Sequence, residues 1–122
     1  MASSREIGLR GEAIAQDYLK KHGYKIVLTN YRCRFGEIDI IAQEKSCLVF
    51  IEVRARSSDD FGTPEETITP RKKDKLIKSA SYYLSSHNNL PPLIRFDFIG
   101  ITMVGKGPQI NLIKNFITDV IA

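Results

Sequence analysis

The chain has 122 residues, of which 43% are hydrophobic and 26% charged, and carries a formal net charge of +4; this describes one globular domain with a sizeable core and excludes a disordered chain or a disulfide-stapled miniprotein. No apolar run approaches a membrane span and Met1 to Glu6 lacks the apolar middle of a signal peptide, so no membrane partner and a cytoplasmic location are expected. The mild positive charge favours polyanions without singling out nucleic acid.

The first helix is predicted to start at Ser3, where Ser-x-x-Glu ending at Glu6 makes a capping box, and to stop at His22-Gly23. Ile7, Gly11, Ile14, Ala15, Tyr18 and Leu19 recur at helical spacing and form its core stripe. Glu12 lies beside that stripe, where a carboxylate can reach over a sheet edge; it can equally be an exposed acid partnered by a nearby base. A first strand is expected from Tyr24 to Thr29, then a polar turn from Asn30 to Gly36. Cys33 and Cys47 lack partners at metal-site spacing and read as free thiols.

Gly36 to Ala42 and Leu48 to Arg54 are rich in β-branched and aromatic residues and read as a hairpin around Gln43-Glu44-Lys45-Ser46. If Lys45 and Ser46 alone form the loop, Glu44 faces Cys47 and the register puts Asp39 opposite Glu52; one residue more or less would send the two acids to different faces. Opposed Cβ atoms lie roughly 5 Å apart, and two ionised carboxylates there repel by about 3 kcal/mol at an effective dielectric of ~20. A hard divalent cation can reconcile them, since Mg²⁺ characteristically uses one or two carboxylates with water and substrate phosphate. The plainer alternative is a surface hairpin whose acids are offset by Arg54 and its neighbours.

Arg56 to Glu66 has the Ser, Asp, Gly and Pro content of a surface loop. Thr69-Pro70 then caps a second helix with Leu76, Ile77, Ala80, Tyr83 and Leu84 on its apolar side. Arg71, Lys72 and Lys73 oppose the dipole of its first turn, a mismatch that bound phosphate would reverse. A long strand from Ile94 to Met103 carries Asp97 among hydrophobes, Gly105 to Pro108 is a turn, and a last strand from Gln109 to Ile113 precedes the tail. The order of elements predicts an α/β or α+β domain with a mixed sheet covered by helices.

Gly11-Glu12-x-x-Ala15, Asn30-x-Arg32, Gly36-Glu37-Ile38-Asp39-Ile40-Ile41-Ala42, Phe50-Ile51-Glu52-Val53-Arg54-x-Arg56, Phe61-Gly62-x-Pro64 and Arg95-Phe96-Asp97 stand in this order along the chain. Together they resemble the YraN-like family of small bacterial proteins, itself assigned by resemblance to the restriction-endonuclease-like, PD-(D/E)xK superfamily. The resemblance implies a restriction-endonuclease-like α/β fold, with a mixed central sheet flanked by helices, and a Mg²⁺- or Mn²⁺-dependent endonuclease that hydrolyses DNA phosphodiester bonds. On the superfamily pattern Glu12 stands for the helix acid, Asp39 for the strand Asp and Glu52 for the Glu, while Val53 offers its carbonyl to the metal. Archaeal-type Holliday-junction resolvases are similar in layout, which points to branched or structured DNA by analogy only. Arg54 departs from the usual Lys: it stays protonated and cannot act as a base, yet it can stabilise developing negative charge. Arg34, Arg56, Lys72 and Lys73 are expected to hold the DNA backbone without reading sequence. Two other readings remain open, a non-catalytic nucleic-acid-binding module of the same fold and a homodimer formed through a strand edge or the apolar tail Phe116-Ile117 with Val120-Ile121.

Overall fold

The structure, a computed structural model, describes residues 3–57, 62–105 and 107–118. Helix α1 spans Ser4–Lys21. Ser3 caps it by accepting the Glu6 backbone N–H at 3.1 Å and donating its hydroxyl to Glu6 Oε1 at 3.3 Å, and Gly23, at φ +90°, takes the left-handed conformation that turns the chain into the sheet.

Five strands follow: β1 (Lys25–Cys33), β2 (Gly36–Glu44), β3 (Cys47–Ser57), β4 (Leu93–Val104) and β5 (Gly107–Ile113). They lie in chain order in one sheet, antiparallel except where β3 and β4 run parallel. That parallel pair requires a crossover, supplied by helix α2 (Pro70–Ser86), whose N-cap Thr69 accepts the Lys72 backbone N–H. Ala15 and Leu19 of α1 pack on one face with Ile40, Val49, Ile51, Ile99 and Ile101; Leu76, Ala80 and Tyr83 of α2 pack on the other with Ile41, Leu48, Phe50 and Phe96. The resulting mixed α/β domain is consistent with the restriction-endonuclease-like fold expected above.

Three local expectations need correction. The polar stretch after Thr29 continues β1 to Cys33 instead of forming a turn, because Tyr31 packs edge-on against Tyr83 of α2 and Asn30 absorbs a backbone kink at φ +53° without ending the strand. A 3-10 turn, Pro64–Thr67, interrupts the loop expected from Arg56 to Glu66, whose first two residues continue β3; Ser58 to Phe61 lie outside the described residues. Gly107 and Pro108 belong to β5 rather than to a turn.

Phe116 and Ile117 belong to the α2-side core, where the Phe116 ring lies 5.7 Å from that of Phe98 and its N–H bonds the Phe96 carbonyl at 2.9 Å. Ile117 is thus buried within its own chain and Phe116 half-buried; Val120 and Ile121 lie outside the described residues. Among the described residues no helix is long and apolar enough to cross a membrane.

Candidate functional site

The hairpin closes through Lys45 and Ser46, with Glu44 opposite Cys47 and Lys45 at φ +55°. Pairing between β2 and β3 runs back to Ile40 opposite Ile51 and there ends, so the next facing positions are Asp39 and Glu52. Beyond that point β3 continues to Ser57 paired with β4, and the β1–β2 pair diverges from it. The Asp39 carboxylate fills the fork, accepting the backbone N–H of Val53 at 2.8 Å in place of a strand carbonyl.

The strand also turns over at Asp39. Ile40 and Ala42 face α1 and Ile41 faces α2, but Ile38 again faces α2, so simple alternation fails across residue 39. On the neighbouring strand Thr29 pairs with Ile40 and Tyr31 with Ile38, leaving Asn30 opposite Asp39 in its left-handed conformation. Asp39 in consequence lines clefts on both sides of the sheet end. One, about 400 Å³, lies on the α2 side and includes Glu52, Arg54, Lys72 and Lys75. The other, about 590 Å³, lies on the α1 side and includes Arg5, Glu12, Asn30, Val53 and Arg54.

Burial, followed by the charge of Glu52, pushes the Asp39 carboxyl up to about 7 from an ordinary 3.8, against the opposing pull of the Val53 N–H and Arg54. The nearby Glu52 carboxylate therefore disfavours the charged form of Asp39. Arg54 Nη2 lies 2.8 Å from Glu52 Oε2 and supplies part of the countercharge. Glu12 is also raised, first by burial and then by the Asp39 charge, while the nearby Asn30 amide pulls it back.

The expected acids thus converge as a close pair, Asp39 with Glu52, and a third, Glu12, reaching the same fork from the α1 side. Among the described residues no set of three His, Cys, Asp or Glu side chains could enclose a metal ion by itself. The donor set still fits a hard divalent cation of the Mg²⁺ type: two adjacent carboxylates lining one cleft, each of whose charges a cation would offset.

Of the expected phosphate contacts, Lys72 lines the α2-side cleft and ties back to the Thr67 carbonyl at 3.0 Å, and Lys73 lines a narrow crevice with Glu52 and Arg54. Arg34 stacks over Phe35 at 4.8 Å in the β1–β2 turn, two residues from the cleft wall at Gly36, and Arg56 lies two residues beyond Arg54 on β3; neither is among the residues lining the two clefts. Arg5, Asn30 and Lys75 do line them and were not assigned to the site on sequence. Asn30 carries the readable signal, an Asn with left-handed tolerance inside the Asn30-x-Arg32 motif.

The other conspicuous acid is structural. Asp97, fully buried, accepts from Tyr24 Oη (2.8 Å), Arg95 Nε (2.8 Å) and the Asn115 N–H (2.9 Å), and Arg95 Nη2 reaches Glu44 Oε1 at 2.7 Å. Asp97 pairs with Ile51, the residue before Glu52, and its network runs from there towards Glu44 beside the hairpin turn, with no member lining either cleft.

A family model described as "Uncharacterised protein family UPF0102" matches residues 11–101, a span that begins just before Glu12 and includes Asp39, Glu52 and Asp97. The chain is 44% identical over 112 residues to a UPF0102 protein of Syntrophomonas wolfei, covering 92% of this chain and 97% of that one. It is 45% identical over 114 residues to a UPF0102 protein of Caldicellulosiruptor bescii (91% and 96%) and 41% identical over 112 residues to one of Geobacter metallireducens (92% of each). With its model matched over most of the chain and relatives this similar along nearly their whole length, the chain belongs to family UPF0102, the YraN-like proteins.

Proposed function

We propose that this protein is a metal-dependent endonuclease acting on DNA phosphodiester bonds, with structured or branched DNA as the substrate. The observation that carries the reading is the adjacency of Asp39 and Glu52 at the open end of the β2–β3 ladder. Those carboxylates, with the Val53 carbonyl, would hold Mg²⁺ or Mn²⁺. Such an ion, when bound, supplies Lewis acidity toward a phosphoryl oxygen and acidifies a water at neutral pH.

The chain's own residues divide the remaining work. Arg54 stays protonated, so it serves as a fixed positive charge toward the transition state and not as a proton acceptor. Glu12 orients water from the α1 side. Lys72 and Lys73, at the start of a helix with no acid in its first turn, hold phosphate on the α2 side, with Arg34 and Arg56 extending the contact outward.

The ion pair between Arg54 and Glu52 favours one rival, a nucleic-acid module in which the arginine has taken the cation's place. Linear, flapped and four-way DNAs incubated with Mn²⁺ or chelator, beside Asp39→Ala, separate the two. Cleavage that requires both metal and Asp39 is the expected result. Salt-sensitive binding that persists in chelator, with no cleavage of any substrate, would establish the rival.

A further inference from the structure

We propose that Asn30 is a positioning residue that opens the strand pair at Asp39 and holds Glu12 against that opening. The inference deepens the nuclease reading and rests on it for the purpose of the site, though not for the contact itself.

Three observations converge on this residue. Asn30 stands opposite Asp39 in the β1–β2 register, and its φ of +53° lies in the middle of a nine-residue strand, where a left-handed residue interrupts the pleat. The change of facing across residue 39, with Ile38 and Tyr31 on the α2 side and Ile40 on the α1 side, occurs at that interruption. Asp39 is thereby freed from ladder pairing with β1 and can cap the Val53 N–H. The Asn30 amide lines the α1-side cleft together with Glu12 and Asp39, and its nearness holds the Glu12 carboxyl down against burial and the Asp39 charge. Asn suits both tasks, because it tolerates the left-handed region and its side chain carries a donor. Gly would serve only the first, and Val neither.

A second layer of hydrogen-bonding residues that fixes metal-site carboxylates commonly changes metal affinity 10- to 100-fold when removed. Asn30→Gly keeps the backbone conformation and deletes only the amide, so it is expected to unfold at the wild-type temperature while weakening Mn²⁺ binding by ~10-fold. Asn30→Asp, which keeps the left-handed tolerance but places a carboxylate beside Glu12, should be impaired at least as much.

The contact has its own readout, independent of metal. In the metal-free protein the side-chain NH₂ resonances of Asn30 should be displaced from the free-amide position and return to it in Glu12→Ala. If wild type binds Mn²⁺ and Asn30→Gly binds it equally well, the positioning role is overturned while the nuclease reading survives. If wild type binds no Mn²⁺, the nuclease reading fails, and the Asn30 claim is decided by the NMR result: resonances unmoved by Glu12→Ala overturn it, and resonances that move uphold the contact.

Discussion

Arg54 Nη2 sits 2.8 Å from Oε2 of Glu52, two residues earlier on the same strand, so the arginine holds the carboxylate that a cation would need. The two demands oppose each other. Arg54→Ala is expected to tighten Mn²⁺ binding several-fold, by removing a competing positive charge, while lowering DNA cleavage by ~10²-fold or more through loss of transition-state stabilisation. Arg54→Lys keeps the charge and should stay within about tenfold of wild type. Calorimetric Mn²⁺ affinity and single-turnover cleavage on the same preparations check this; a parallel fall of both in Arg54→Ala would contradict it.

Asp39 makes the metal-free protein less stable as pH rises. Its carboxyl ionises near 3.8 in the unfolded chain and at about 7 in the fold, so between those values the native state keeps a proton that the unfolded state has released. The stabilisation is therefore complete below the unfolded value and is lost as pH climbs through the folded one. Asn at this position can still accept the Val53 N–H and carries no charge. Asp39→Asn should be more stable than wild type at pH 8 by roughly 1–3 kcal/mol and nearly equal to it at pH 4.5, as functional acids often cost stability. Urea denaturation at the two pH values tests the difference, and a gap that does not widen with pH would count against the buried pair.

Gly11 sets how closely α1 approaches the sheet, since a Cβ there would collide with that of Ala55 on β3. Neither atom belongs to a flexible chain end, so the helix itself must move. Gly11→Ala is expected to lose about 1–3 kcal/mol despite the better helix propensity of alanine, and to shift the neighbouring Glu12 away from the fork. Chemical denaturation gives the first effect and the Asn30 side-chain resonances report the second.

Two strands across from Asp39, Asp97→Ala would leave Arg95 and Tyr24 without their buried partner and should destabilise by about 3–5 kcal/mol. Because no member of this network lines either cleft at Asp39, the fraction that folds should bind Mn²⁺ with wild-type affinity. Equilibrium unfolding and metal titration of the same variant distinguish a structural Asp97 from a functional one.

The position of the acids was legible because it depended on counting: a two-residue turn at Lys45-Ser46 leaves one register, and that register brings Asp39 to Glu52. Helix boundaries were equally readable from Ser3, Gly23 and Thr69, which act locally. The continuation of β1 was hidden because Asn30 has the composition of a turn residue, and only the packing of Tyr31 against Tyr83, far along the chain, holds the strand extended beyond it. The partners of Asp97 were hidden for the same reason. Tyr24 lies 73 residues away and Glu44 lies 51 from Arg95, distances that only the parallel crossover closes. Lys72 and Lys73 reach the cleft walls because α2 begins there, whereas Arg34 and Arg56, equally basic in sequence, end up further out.

The most direct measurement is a calorimetric titration of Mn²⁺ into the wild-type protein, Asp39→Asn and Glu52→Gln, each shown to be folded. One saturable site at millimolar metal or tighter, lost in both variants, is the predicted result. No saturable binding to wild type, or binding undiminished by either substitution, would mean that the facing carboxylates do not form a metal site.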